Sequence, residues 1–234
     1  MSIKRRLFDY AKLIADVQKK SGKTQEELSE SLNCTPEHIS KVKRNKSTFS
    51  VDKILQLVNE YNCCIDDYID NGTNHKRSEY EEKEGLVEMD SELYLPLLKL
   101  ANKVVSFDYK DSPEDYLTSD SKERIQKIAK CISKRRMEVG IPVKTMAEKV
   151  GVKETTFQNI ENGCNGTTIE KYIQISTTLD VALSYLMRDV IKNKDVLIDY
   201  ELEQIFSQVN FIEKKAVIEM INGMVAVVQQ YMNR

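Results

Sequence analysis

The 234-residue chain has no tryptophan, only four prolines and only eight glycines. So few backbone breakers over this length point to a mostly helical chain. Histidine is equally scarce, with His38 and His75 alone. The five cysteines (Cys34, Cys63, Cys64, Cys131, Cys164) contain no Cys-x-x-Cys. A four-ligand zinc site would need an unusual arrangement from such a set. The odd thiol count reads as reduced, intracellular cysteine rather than a disulfide framework. No stretch approaches the ~18 uncharged apolar residues of a membrane span. The start Met1-Ser2-Ile3-Lys4-Arg5-Arg6 leads into no apolar run, so it does not read as a secretory signal. A soluble, cytoplasmic protein is expected. A glycine-rich phosphate loop, a metal-ligand cluster and a nucleophile–base set are all missing, which argues against an enzyme. No cofactor and no small-molecule ligand is evident.

Net charge is also small, at −2, but it is unevenly spread. Residues 1–50 carry 11 Lys/Arg against 6 Asp/Glu, net +5. Residues 73–120 carry 6 against 12, net −6, and residues 121–190 carry 12 against 8, net +4. Two basic blocks flank an acidic spacer.

The two basic blocks are related. Sliding the chain by 118 positions aligns residues 14–69 with 132–187 without a gap. Identity is low, yet the apolar skeleton agrees, through pairs such as Ile14/Ile132, Leu28/Met146, Ile39/Phe157, Val42/Ile160, Leu55/Ile173 and Ile65/Leu183. A shared core pattern with free surface residues is what two copies of one fold should show. Apolar spacing predicts helices near 7–20, 24–32, 36–43, 51–61 and 65–69, and again near 121–138, 143–150, 154–161, 169–179 and 183–188. Thr35 and Ser50 stand where helix caps belong, and Pro36 suits a first turn.

The central helix pair carries the diagnostic spacing. Ser29 and Ala147 supply the small residue where the two helices cross. Asn33 and Gly151 tolerate the positive φ that a short turn needs. Each following helix buries two positions three apart, Ile39 and Val42 or Phe157 and Ile160. This is a helix-turn-helix pattern. The segment Gly22 to Ser29, then Leu32-Asn33-Cys34-Thr35 and Ile39-Ser40-Lys41-Val42, resembles the lambda-repressor-like family of helix-turn-helix regulators. The second copy resembles it through Met146 to Val152 and Phe157 to Gly163.

The resemblance implies that the second helix of each pair enters the major groove of double-stranded DNA. In the first copy the outward set is Thr35, Glu37, His38, Ser40, Lys41 and Arg44. Lys41 and Arg44 suit guanine edges or phosphate, and Glu37 suits cytosine. Gln25 matches the family's phosphate-touching glutamine, and Lys43, Lys46, Ser47 and Thr48 fall beside the backbone. In the second copy Lys153, Glu154, Thr155, Thr156, Gln158, Asn159 and Asn162 face outward. Amide side chains pair with adenine, so this copy would read a different sequence. Pro142-Val143 replace the family's usual Thr-Gln, leaving Lys144 as the substitute phosphate contact.

Residues 70–92 and 107–120 read as polar linkers, and residues 93–106 as one amphipathic helix whose apolar face must be covered. Helices are predicted near 196–208 and 211–232. In the latter Val217, Met220, Met224, Val227 and Tyr231 form a seam suited to helix pairing, and no charge falls between Met220 and Asn233. An intrachain hairpin and a homodimer interface both satisfy that seam. The expected architecture is all-α. It comprises a helix-turn-helix domain over 1–72, an acidic spacer over 73–120, a second helix-turn-helix domain over 121–190 and an oligomerisation segment over 191–234. The expected function is sequence-specific transcriptional regulation, as a repressor. The competing reading is a protein-interaction module, such as an antitoxin or adaptor, that binds its partner through the spacer and tail.

Overall fold

The computed structural model describes residues 7–69, 91–105, 120–192, 198, 202, 205–206 and 211–232. The protein is all-helical; of the sequence-predicted linkers, 70–90 and 107–119 lie outside the described residues, while 91–92 already belong to the helix that follows and Asp120 caps the next one. The first unit comprises α1 (Tyr10–Ser21), α2 (Gln25–Ser31), α3 (Pro36–Lys43), α4 (Val51–Glu60) and a 3₁₀ turn, Ile65–Tyr68. After α5 (Ser91–Val105) comes a second unit of α6 (Ser121–Glu138), α7 (Val143–Val150), α8 (Glu154–Glu161), α9 (Ile169–Thr178) and α10 (Leu183–Met187). The chain ends in α11 (Phe211–Met232). No helix among the described residues is long and apolar enough to cross a membrane.

Local chemistry sets the boundaries. Thr24 and Glu27 form a reciprocal capping box at the start of α2. Thr35 caps α3, with Pro36 in its first turn, and Ser50 caps α4. In the second unit Thr168, the counterpart of Ser50, caps α9. Pro142 and Lys153 give α7 and α8 no side-chain cap.

Among the described residues, those at positive φ fall into four pairs, each 118 apart: Gly22/Gly140, Asn33/Gly151, Asn45/Gly163 and Asn62/Asp180. The turn-closing bonds repeat with them. Cys34 N donates to Ser29 O at 2.9 Å and Val152 N to Ala147 O at 3.0 Å. Lys46 N donates to Lys41 O at 2.8 Å and Cys164 N to Asn159 O at 2.9 Å. The apolar skeleton needs these turns at these places, and glycine, asparagine and aspartate are the residue types that enter them at low cost.

Two cores result. One runs continuously through both units, from Phe8, Leu13 and Ile39 to Phe157, Ile173 and Leu186. The other joins α5 to the tail: Tyr94, Leu95 and Leu98 pack with Ile198, Leu202, Ile205 and Phe206 and with Val217, Ile221 and Val225 of α11. Among the described residues of α5, Tyr94, Leu95, Leu98 and Ala101 are therefore covered by the tail. Along α11 the buried row is 217, 221, 225, a four-residue step. Of the seam expected from sequence, Val217 is buried, Met220 and Met224 are partly buried, and Val227 and Tyr231 are 53% and 71% exposed.

Candidate nucleic-acid interface

In the first unit α2 and α3 cross where Ser29 is buried, and α3 turns Ile39 and Val42 fully inward. That burial fixes the opposite face of α3. Glu37 and Lys41 lie exposed there as an i,i+4 ion pair of 2.8 Å. The Lys41 ammonium hydrogen-bonds the Glu37 carboxylate and holds it below its ordinary pKa. Arg44, which caps α3, and Lys46 beyond it are also exposed. Thr35 is exposed, with its hydroxyl accepting from His38 N at 3.2 Å.

Other sequence-predicted residues brace this face. Gln25 Nε2 donates to Pro36 O at 2.8 Å and to Ser40 Oγ at 3.0 Å, tying the start of α2 to α3. Ser40 is half-buried under that strap. Lys43 Nζ donates to Gln18 Oε1 at 3.2 Å, so it anchors the end of α3 to α1. His38 is half-buried, its ring stacked on Phe49 at 5.7 Å, with Nε2 buried.

The second unit presents a different surface on the same frame. Ala147 is buried at the crossing, and Phe157 and Ile160 seal the inner face of α8. Lys153, Glu154, Thr155, Thr156, Gln158, Asn159 and Asn162 are all exposed, as is Lys144 on α7. Polar amides and hydroxyls thus stand where α3 carries Glu37, Lys41 and Arg44. Position 143 is a valine with no donor to reproduce the Gln25 strap. The strap from the first helix is kept with altered chemistry. Arg136, the counterpart of Gln18, ion-pairs Glu161, the counterpart of Lys43, and also donates to Ile141 O at 2.9 Å. Sequence reading missed this strap in both units, because the apolar alignment carries no information on which polar pair spans it.

The α2 and α7 carbonyl ends are closed from the fourth helix of each unit. Gln56 Nε2 donates to Ser31 O at 2.8 Å, and Lys171 Nζ donates to Val150 O at 2.6 Å. Each helix pair is thus held at both ends by side chains from within its own unit, and the exposed face is a rigid platform.

A helix-turn-helix family model matches residues 15–67, which contain α2, α3 and their turn. No curated protein and no solved structure matches the chain. Residues 15–67 are thus similar to the helix-turn-helix of DNA-binding transcription regulators, and the match stops short of α6–α10.

Proposed function

We propose that this protein is a sequence-specific, double-stranded DNA-binding regulator that represses by occupying its site, with α3 and α8 each set into a major groove. One observation carries the reading. In the segment that matches the family, α3 seals Ile39 and Val42 into the core and leaves Glu37, Lys41 and Arg44 together on its outer face. Those side chains suit base edges, while Lys46 and Thr35 flank them toward the phosphates. The second reading head rests on repetition: helix order, turn conformations and turn-closing bonds recur at one offset. Its amide-rich face, Gln158, Asn159 and Asn162, suits adenine.

The partner-binding alternative needs an open apolar surface on the spacer and tail. Tyr94, Leu95, Leu98, Val217, Ile221 and Val225 are buried against one another instead, which favours DNA reading. Selection from a random duplex library with the full chain tests the proposal. A reproducible enriched sequence is the expected result, and recovery of unenriched DNA from a folded chain overturns it.

A further inference from the structure

Contacts between the two units are reciprocal. Asp52, in the first turn of α4, accepts from Ser121 Oγ at 2.9 Å and from Arg124 Nε and Nη2 at 3.0 and 2.6 Å, on the first turns of α6. The counterpart of Asp52 is Glu170, and Glu170 Oε1 accepts from Tyr10 OH at 3.1 Å, the first residue of α1. An acid at one repeat position of each unit therefore reaches the first helix of the other unit. Asp66 Oδ1 accepts from the backbone N of Ser184 at 3.2 Å, and these positions are 118 apart. A position that touches its own counterpart lies on a two-fold axis. A head-to-tail stack of repeats gives no such contact. A cavity of about 300 Å³ between the units is lined by 48–52 from one and by 166–168 and 170 from the other, the same stretch twice.

We infer that the chain is its own dimer: its two units pair about a pseudo-two-fold axis, so one chain addresses a duplex carrying two inverted but unlike half-sites. This rests on the DNA-reading proposal above. The stretches facing each other across the cavity begin five residues after the ends of α3 and α8, so the two reading helices flank the axis. Duplex DNA has two-fold axes of its own, and a two-fold pair of such helices reads half-sites about one turn, ~10 base pairs, apart. The heads differ, with Glu37, Lys41 and Arg44 on one and Gln158, Asn159 and Asn162 on the other. The site is therefore inverted in geometry and asymmetric in sequence.

Two experiments separate the pairing from the reading. In the full chain, Asp66→Cys with Ser184→Cys is oxidised and mapped by peptide mass. Asp52→Cys with Ser121→Cys probes the other end of the axis. An intrachain 66–184 or 52–121 disulfide is expected. A folded chain giving neither overturns the pairing, whatever DNA it binds. Separately, the full chain selects from a random duplex library and the complex is weighed by native mass spectrometry. Two unlike, oppositely oriented half-sites on one duplex per chain are expected. Reversing one half-site in place then weakens binding about 100-fold, the loss of roughly two base contacts. Direct repeats, a single half-site, or one chain per half-site overturn the inference. Disulfide formation with no enriched sequence overturns the DNA reading itself, and the inference with it.

Discussion

Gly163 and Gly140 both sit at positive φ, +68° and +67°, but in different surroundings. A Cβ at Gly140 meets nothing within 4 Å. A Cβ at Gly163 meets the Gln126 Cα at 3.0 Å and the Ala129 Cβ at 3.4 Å, both on α6. The reason lies in helix length. α6 starts at Ser121, seven positions earlier in the repeat than α1 at Tyr10, and the turn at 163 packs on that extra helix. In the first unit the counterpart Asn45 is exposed, so there a side chain has room. Gly140→Ala carries only the left-handed penalty, about 1 kcal/mol. Gly163→Ala adds overpacking against backbone that cannot swing aside, for a total of about 2–4 kcal/mol. Urea unfolding of the full chain by far-ultraviolet circular dichroism measures both, with hydrogen exchange locating the loss in α6 to α8. Equal destabilisation by the two substitutions refutes the reasoning, since it removes any contribution from the α6 contact.

Lys41→Ala with Arg44→Ala is expected to abolish specific binding in an anisotropy titration while the circular dichroism spectrum stays unchanged. Gln158→Ala with Asn159→Ala weakens the same complex by about 1–3 kcal/mol per lost bidentate base contact. Thr24→Ala removes half of the capping box and lowers stability by about 1 kcal/mol in urea titration. Burial pushes the Cys131 thiol up to about 12, whereas Cys164 is exposed. Only the thiolate reacts, so at pH 8 iodoacetamide modifies Cys164 first and leaves Cys131 intact, and Cys131 labels only as pH approaches its raised value. Mass mapping over time checks the order.

Much of the fold was legible because it follows from short-range rules. The apolar spacing of 14–69 and 132–187 marked helices to within a few residues, and Ser29/Ala147 and Asn33/Gly151 marked the crossing and the turn. The turns at Asn45/Gly163 and Asn62/Asp180 carry no such mark: they lie outside the diagnostic helix pair, the first has one glycine and the second none, and single asparagines and aspartates are common elsewhere. Helix geometry alone places His38 outward; its stacking on Phe49 depends on a loop residue eleven positions on. Coiled-coil steps predict one seam on α11, whereas α11 packs on α5 and on Ile198, Leu202, Ile205 and Phe206 along the row 217, 221, 225. The contacts between units, Asp52 with Arg124 and Asp66 with Ser184, join residues far apart in sequence, and no local pattern encodes them. The outward residues of α3 and α8 could be named because burial of one helix face determines the other.

The most direct test of the central claim is the specificity ratio at about 150 mM salt. The full chain is titrated by fluorescence anisotropy against its selected duplex and against a shuffled duplex of the same composition. The account predicts at least ~10³-fold tighter binding to the selected sequence, the usual gap between base reading and phosphate attraction. It also predicts that Lys41→Ala with Arg44→Ala collapses that gap. A ratio near one for the unaltered chain contradicts it, because basic surface alone gives affinity without sequence preference.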